Sequence, residues 1–290
     1  MQETVLITGA HGLVAHHTAK ALAATHKLRF LSRHPQAANE FAWDVASGHI
    51  DEAALDGVDY IVHLAGSKLN DGNPLTPQRQ QLIWDSRIGA SELLLQRLQE
   101  RGQTLKAFVS ASALGYYDFS DATLAIGENG RQSKGFEGEL CAGWEAAADQ
   151  FKTQAIAERV VKLRICLVLG RDGSLFLAFK EQLAHQPQTF INLRGATYFP
   201  WVHADDIGGM FAHAVTNPKL DGVYNTTAPQ ATSREALFAL MYCLDRHNYP
   251  AFEQVNAHFD GQHLSSDKIT QAGYQFQYPD IKTATKELML

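Results

Sequence analysis

The chain has 290 residues, with 45% hydrophobic and 19% charged side chains; that is one large domain or one and a half ordinary ones, with enough apolar matter for a sizeable core and too much for disorder. Its formal net charge of -6 comes without any basic block, which speaks against nucleic acid as a partner. No run of about 18 apolar residues occurs, which speaks against a membrane partner, and the opening "ETVLITGAHG" carries no cationic and apolar leader, so the expected place is the cytoplasm. Cys141, Cys166 and Cys243 lie far apart and are odd in number, as suits a reducing compartment without disulfides. The 13 histidines are scattered, with no HExxH or CxxC spacing, so no metal site is expected.

Strand and helix patterns alternate from the start. Thr4–Thr8 is a short apolar run closed by Gly9, which reads as a buried parallel strand. An Ala-rich helix is expected over Leu13–Ala24, then strands at Lys27–Ser32 and at Tyr60–Leu64, with the short strand "FAW" before Asp44. Ile83, Ile88, Leu93, Leu94 and Leu98 carry helical spacing, so Ile83–Glu100 reads as one helix. Ala107–Ser112 is a strand, Gly138–Thr153 a helix and Val160–Leu169 a strand. Helices between strands at this interval mean repeated βαβ units. The fold class is therefore α/β: a Rossmann-type doubly wound parallel sheet. After Gly170 the rhythm loosens. Leu175–Ala184 and Ser233–Leu244 look helical, while Pro187–Pro200 and Tyr249–His258 look extended or irregular. The expected division is a dinucleotide-binding core over 1–170, rejoined by 201–227. A smaller C-terminal substrate-binding region would take 171–200 and 228–290.

The stretch "LITGAHGLVA" is the most specific local signal. Gly9, Gly12 and Ala15 form G-x-x-G-x-x-A directly after a strand and at the opening of a helix. The first glycine permits a tight turn, the second lets the backbone approach a diphosphate, and the alanine allows close helix–strand packing; the helix N-terminus supplies free N–H groups. Gly9, Ala10, His11, Gly12, Leu13 and Val14 are the expected cradle. The end of the second strand holds Ser32-Arg33-His34 and no acid. Arg33 suits a 2′-phosphate, so NADP(H) is the expected cofactor, with NAD(H) the alternative. Asp44 and Val45 are placed toward the adenine, as is common in this fold, and Leu64, Ala65 and Gly66 beneath the adenosine-side ribose and the diphosphate.

These motifs, followed by "SRIGASELL", "SASALGYYD", "LCAGWEAAA", "LRICLVLGRDG", "FPWVHADDIGGM" and "AGYQFQYP", resemble the extended short-chain dehydrogenases/reductases over almost the whole length. Within them the chain is most similar to the atypical YfcH-like branch, classed with sugar-nucleotide epimerases. It departs from the branch in Gly9-Ala10-His11, where T-G-G-T-G is common, and in a shortened loop "INLRGATYF". The resemblance implies that Arg87 faces the active-site side and that Ser110, Ala111 and Ser112 close a strand beside the nicotinamide. It places Leu167 near the same end, and gives His203, Asp205 and Asp206 a structural role. It also implies a homodimer built on the helices within 83–100 and 138–153.

The chemistry of such enzymes rests on Ser, Tyr and Lys, the lysine lowering the tyrosine pKa and holding the nicotinamide ribose. In this chain the Tyr and Lys places hold Leu140 and Trp144. With Ala147 and Phe151 they form a buried stripe at helical spacing, and an indole cannot supply lysine's charge. The serine place falls on Ala113 if Tyr117-Asp118 matches the usual Tyr-Gly; Ser112 is one residue early. Candidate catalytic groups are therefore Ser112, Tyr116 and Tyr117, with Lys134 and Glu128 in the following loop. Two functions remain open. One is an NADP(H)-dependent epimerase or oxidoreductase acting on a small-molecule substrate, with a nucleotide sugar as the family's class. The other is a non-catalytic NADP(H)-binding sensor.

Overall fold

The computed structural model describes residues 2–69, 72–120, 124–187 and 196–290. The chain divides into two compact units: the first holds Met1–Asp118, Arg131–Arg164 and Gly208–Tyr224, the second Phe119–Gly130, Ile165–Ile207 and Asn225–Leu290. Residues 119–130, 165–170, 201–207 and 225–227 thus belong to the second unit.

The first unit is built on eight strands: β1 Thr4–Thr8, β2 Lys27–Ser32, β3 Glu40–Asp44, β4 His49–Ile50, β5 Tyr60–His63, β6 Leu105–Ala113, β8 Ala157–Ile165 and β11 Gly222–Asn225. Their order is β11-β8-β6-β5-β1-β2-β3-β4. β1 pairs parallel with β2 and β5, β2 with β3, and β5 with β6; β4 closes the edge antiparallel to β3. Val5, Leu6 and Ile7 have no exposed surface, as a central parallel strand covered on both faces requires. Helix α1, Leu13–Leu22, packs where Gly208 leaves room: a Cβ there would lie 2.5 Å from the His17 carbonyl carbon. One core cluster joins Leu6, Ile61, Leu94, Leu98, Phe108 and Phe151.

The single helix expected over Ile83–Glu100 is different in fact. It starts earlier, as α2 Pro77–Trp84, because Thr76 accepts from Arg79 N as an N-cap and Pro77 opens the first turn. It is then interrupted by a π-helical turn at Asp85–Gly89 before α3, Ala90–Glu100. Helix α4 runs Phe136–Thr153. Trp84 lies against it at Gly143, where a Cβ would meet the indole at 2.6 Å.

In the second unit, the strand expected over Val160–Leu169 breaks after Ile165. Its remainder, β9 Leu167–Leu169, pairs parallel with β10, Trp201–His203. β7 Ala125–Ile126 pairs with β12 His263–Leu264. Helices Ser174–His185, Arg234–Asp245 and Ile281–Met289 surround a cluster of Phe176, Trp201, Leu237, Met241, Phe252 and Ile281. Tyr249–His258, expected irregular, contains a helix at Tyr249–Gln254, capped by Asn248 with Pro250 in its first turn. Most of the shortened loop "INLRGATYF", and of the expected extended stretch 187–200, lies outside the described residues. Among the described residues no helix is long and apolar enough to cross a membrane.

Candidate functional site

The strand order of the first unit reverses at β1, with β2 on one side and β5 on the other. A doubly wound sheet opens its ligand crevice at this place, beyond the carboxyl ends of the strands. Gly9 stands at the end of β1 with φ +78, and a Cβ on it would come within 3.3 Å of the Ala65 backbone. Gly12 N donates to Gly9 O at 2.9 Å. Helix α1 then begins with no side-chain cap and no acid in its first turn. Its leading N–H groups are therefore left for an anion. This cradle fits a dinucleotide diphosphate. Ala10, Leu13 and Val14 are half-buried around it, and His11 and Gly12 are exposed.

The crevice wall is held by a hydrogen-bond relay. Thr8 Oγ1 accepts from both Leu64 N and Ala65 N at 2.9 Å and sits 3.0 Å from His63 Nδ1. With both lone pairs of the hydroxyl occupied, its proton goes to Nδ1. His63 therefore carries its own proton on Nε2 and donates to Arg87 O at 3.3 Å. Ser91 Oγ donates to the same carbonyl. Burial pulls the His63 pKa down to about 4, so the imidazole is neutral in this relay. The π-helical turn presents Arg87 inward. Its Nη1 donates to Ser67 O at 3.0 Å and to Ile83 O at 3.2 Å, and its Cζ lies 5.0 Å from the Trp144 ring centre.

On the next strand, Ser112 Oγ donates to Glu145 Oε1 at 2.7 Å, and the hydroxyl is 1% exposed. Arg164 closes a two-point bridge to the same carboxylate, Nε to Oε1 at 2.7 Å and Nη2 to Oε2 at 2.9 Å. The Arg164 Cζ lies 3.4 Å from the Tyr116 ring centre and 4.8 Å from that of Tyr117. Tyr117 is buried and accepts a hydrogen bond from Arg164, while Tyr116 is half-buried. Although burial works against it, the paired carboxylate holds the Arg164 pKa above its ordinary value. The Cys141 thiol donates to Ala113 O at 3.6 Å, and burial pushes its pKa up to about 11. It is an unreactive thiol.

Ser112 is thus already committed to a carboxylate. Ser110 and Ala111 are buried in β6, with Ser110 Oγ bonded to Ala111 O. Leu140, Trp144, Ala147 and Phe151 form the expected buried stripe. Arg33 is exposed and makes no hydrogen bond or ion pair among the described residues. Asp44 spends its carboxylate on Ala46 N and Ser47 Oγ of its own turn, and Val45 lies 3.8 Å from a would-be Cβ on Gly89. Leu167 is an exposed residue of β9 in the second unit. There Glu128 accepts from Asn225 N, and the exposed loop residue Lys134 falls in the first unit. Asp206 is fully buried and accepts from Tyr274 Oη, Gln277 N and Tyr278 N, while His203 Nε2 meets Glu287 at 3.0 Å. Asp205 N donates to His203 Nδ1. These are structural ties. Four residues were not singled out from the sequence: His63, Glu145 and Arg164, and also Glu40, which meets His11 at 3.3 Å beside the end of β2. The charge of Arg164 inside the apolar run "VVKLRICLVL" was the available signal.

The model of the NAD dependent epimerase/dehydratase family matches residues 5–226. The chain is 29% identical to epimerase family protein ML0860 of Mycobacterium leprae, over 97% of this chain and 94% of that one. The crystal structure of human epimerase family protein SDR39U1, solved with NADPH, is 25% identical with a TM-score of 0.75, covering 99% of both chains. The nucleoside-diphosphate sugar epimerase of Corynebacterium glutamicum is 23% identical with a TM-score of 0.78; all of this chain is covered, and it spans 58% of that longer one.

Proposed function

The chain belongs to the NAD dependent epimerase/dehydratase family as an atypical extended short-chain dehydrogenase/reductase, and from that premise we propose that it binds NADP(H) and moves a hydride to or from a small carbonyl or alcohol, with nucleotide sugars as the favoured class. The observation that carries this reading is the Gly9–Gly12 turn. It has a left-handed first glycine packed on Ala65 and opens an uncapped helix at the strand-order reversal. Arg33 supports NADP(H) over NAD(H): it is a free guanidinium just past the end of β2. The human relative was solved with NADPH.

When bound, the nicotinamide supplies the hydride chemistry, and the protein must orient the substrate and move a proton. Ser112 and Tyr117 are engaged in the buried Glu145–Arg164 cluster. Tyr116, half-buried on the Arg164 guanidinium, is the phenol we assign to the proton. The alternative, a non-catalytic NADP(H) sensor, is favoured by the committed Ser112 hydroxyl and the buried Leu140 and Trp144. We also propose a homodimer joined through the helices within 83–100 and 138–153; light scattering checks it.

The test is a titration with NADPH, NADH, NADP and NAD, repeated on Arg33→Ala, followed by hydride exchange against nucleotide sugars and small carbonyls. Tight NADPH binding, weakened at least tenfold in Arg33→Ala, and turnover lost in Tyr116→Phe are expected. Binding with no turnover moves the assignment to the sensor. No binding of any dinucleotide overturns both.

A further inference from the structure

Arg164 and Arg159 of the first unit are buried and Arg87 is half-buried, and their charges are met differently. Arg164 faces the Glu145 carboxylate. Arg159 donates to the carbonyls of Ala214 and Val215 at 2.6 Å and of Leu220 at 3.3 Å. The first two stand in the last turn of a helix, where carbonyls carry a partial negative charge. Arg87 has neither arrangement. All its bonds leave from Nη1, to Ser67 O, Ile83 O and Ser86 Oγ. Among the described residues it has no carboxylate within ion-pair distance, and its Nε is buried without an acceptor. Nη2 likewise has no acceptor there. Nε is sealed from water, so Nη2 is the guanidinium nitrogen that stays open to an acceptor such as a phosphate or hydroxyl oxygen. Burial pulls its pKa below the ordinary value, with no carboxylate to offset it.

The location of this charge is well defined. The Arg87 Cζ lies 2.8 Å from where a Cβ on Gly66 would stand, so the guanidinium rests on the backbone just past β5. The neighbouring residue Ala65 touches Gly9 at the end of β1. The charge therefore sits at the ligand crevice, on the β5–β6 side of the reversal, opposite to the β2 side that holds Arg33. Its other face is covered by Trp144, whose Nε1 is also buried without an acceptor. An indole face holds a cation in place without neutralising it. Trp144 occupies the place where the resemblance expects a lysine.

We propose that Arg87, seated on Trp144 and Gly66, is the cation that holds the nicotinamide-side phosphoribosyl group of the dinucleotide, in the role that lysine fills in members with the Tyr/Lys pair. Trp144 is the positioning residue. The proposal rests on the dinucleotide reading above. It assigns the two ends of the ligand to two arginines: Arg33 takes the adenine-side 2′-phosphate and Arg87 the nicotinamide half.

Isothermal titration of wild type, Arg87→Met and Arg87→Lys with NADPH and with 2′,5′-ADP separates the two ends, because 2′,5′-ADP lacks the nicotinamide half. Arg87→Met is expected to weaken NADPH at least tenfold, about 1.4 kcal/mol, and to leave 2′,5′-ADP within about twofold. Arg87→Lys is expected to recover part of the loss. The dependence of NADPH affinity on salt should become shallower in Arg87→Met, a change that a merely structural role would not produce. Trp144→Leu, which frees the guanidinium from its seat, is expected to weaken NADPH and spare 2′,5′-ADP in the same pattern. It serves as the second variant should Arg87→Met not fold. Unchanged NADPH affinity in Arg87→Met, or equal losses for both ligands, overturns the proposal. Binding of 2′,5′-ADP but not NADPH by wild type overturns it while sparing the adenine site; no binding of either overturns the dinucleotide reading itself.

Discussion

Arg164 and Arg87 meet the same helix one residue apart, at Glu145 and Trp144, and their charges are handled in opposite ways. Consecutive helical residues point about 100° apart, so helix α4 offers each arginine a different face. The face of Cys141 and Glu145 turns to the end of β6 and neutralises Arg164 with a two-point bridge. The face of Leu140 and Trp144 meets Arg87 with an indole and leaves its charge standing. A buried charge that is neutralised in the fold is part of the architecture. One that is left unneutralised at a crevice is available to a ligand.

The largest expected effect breaks the neutralised side. Glu145→Ala leaves Arg164 buried without its carboxylate and should cost about 3–5 kcal/mol of stability, read by denaturant unfolding. Arg87→Met should change stability by no more than about 1 kcal/mol, because the lost cation–π contact is offset by removal of an uncompensated charge. Equal losses in the two variants would erase the contrast.

The second effect depends on pH and bears on the wall that carries Arg87. His63 is held at about 4 in the fold, below its ordinary 6.5. Between those values the unfolded chain binds more protons, so stability rises with pH. The contribution is full above about pH 6.5 and is lost as the pH falls toward 4, at most about 3 kcal/mol. Protonation would place a second N–H against the Thr8 hydroxyl, which already donates there. Unfolding free energies of wild type and His63→Gln across this window check it: the variant's slope should be flatter.

A third, smaller effect sharpens the view of Ser112 as part of the bridge. Ser112→Ala should cost about 1.5–3 kcal/mol, as for a hydrogen bond to a charged group, and should leave NADPH affinity unchanged in the same titration. The smallest stability effect is expected at Gly66. A Cβ there displaces only the far end of the Arg87 side chain. Gly66→Ala should therefore unfold within about 0.5 kcal/mol of wild type and still lose NADPH affinity, because the guanidinium is moved off its seat.

The βαβ rhythm, the Gly9–Gly12 turn and the stripe of Leu140 and Trp144 could be read from residue order alone, because each depends on a period or spacing of a few residues. The π-helical turn at Asp85–Gly89 could not. Ile83, Ile88 and Leu93 fall five residues apart across it, which does not by itself set the bounds of a turn, and the contact that marks it in the structure is tertiary: His63 donates to the carbonyl of Arg87. The strand break after Ile165 was hidden for a similar reason. Apolar residues continue through it, and only the pairing of Leu167–Leu169 with Trp201–His203 separates the two pieces.

The chain's own residue order determined an α/β dinucleotide fold, an anion cradle at its first turn, and leucine and tryptophan at the two helical places, 140 and 144, where the resemblance expects tyrosine and lysine. Tertiary structure alone decided what became of the remaining polar groups. Ser112, Glu145 and Arg164 come from three elements up to 52 positions apart, and Arg87 meets Trp144 from a fourth. Whether a side chain is neutralised or left to a ligand depends on what faces it across the fold, and local spacing carries no record of that.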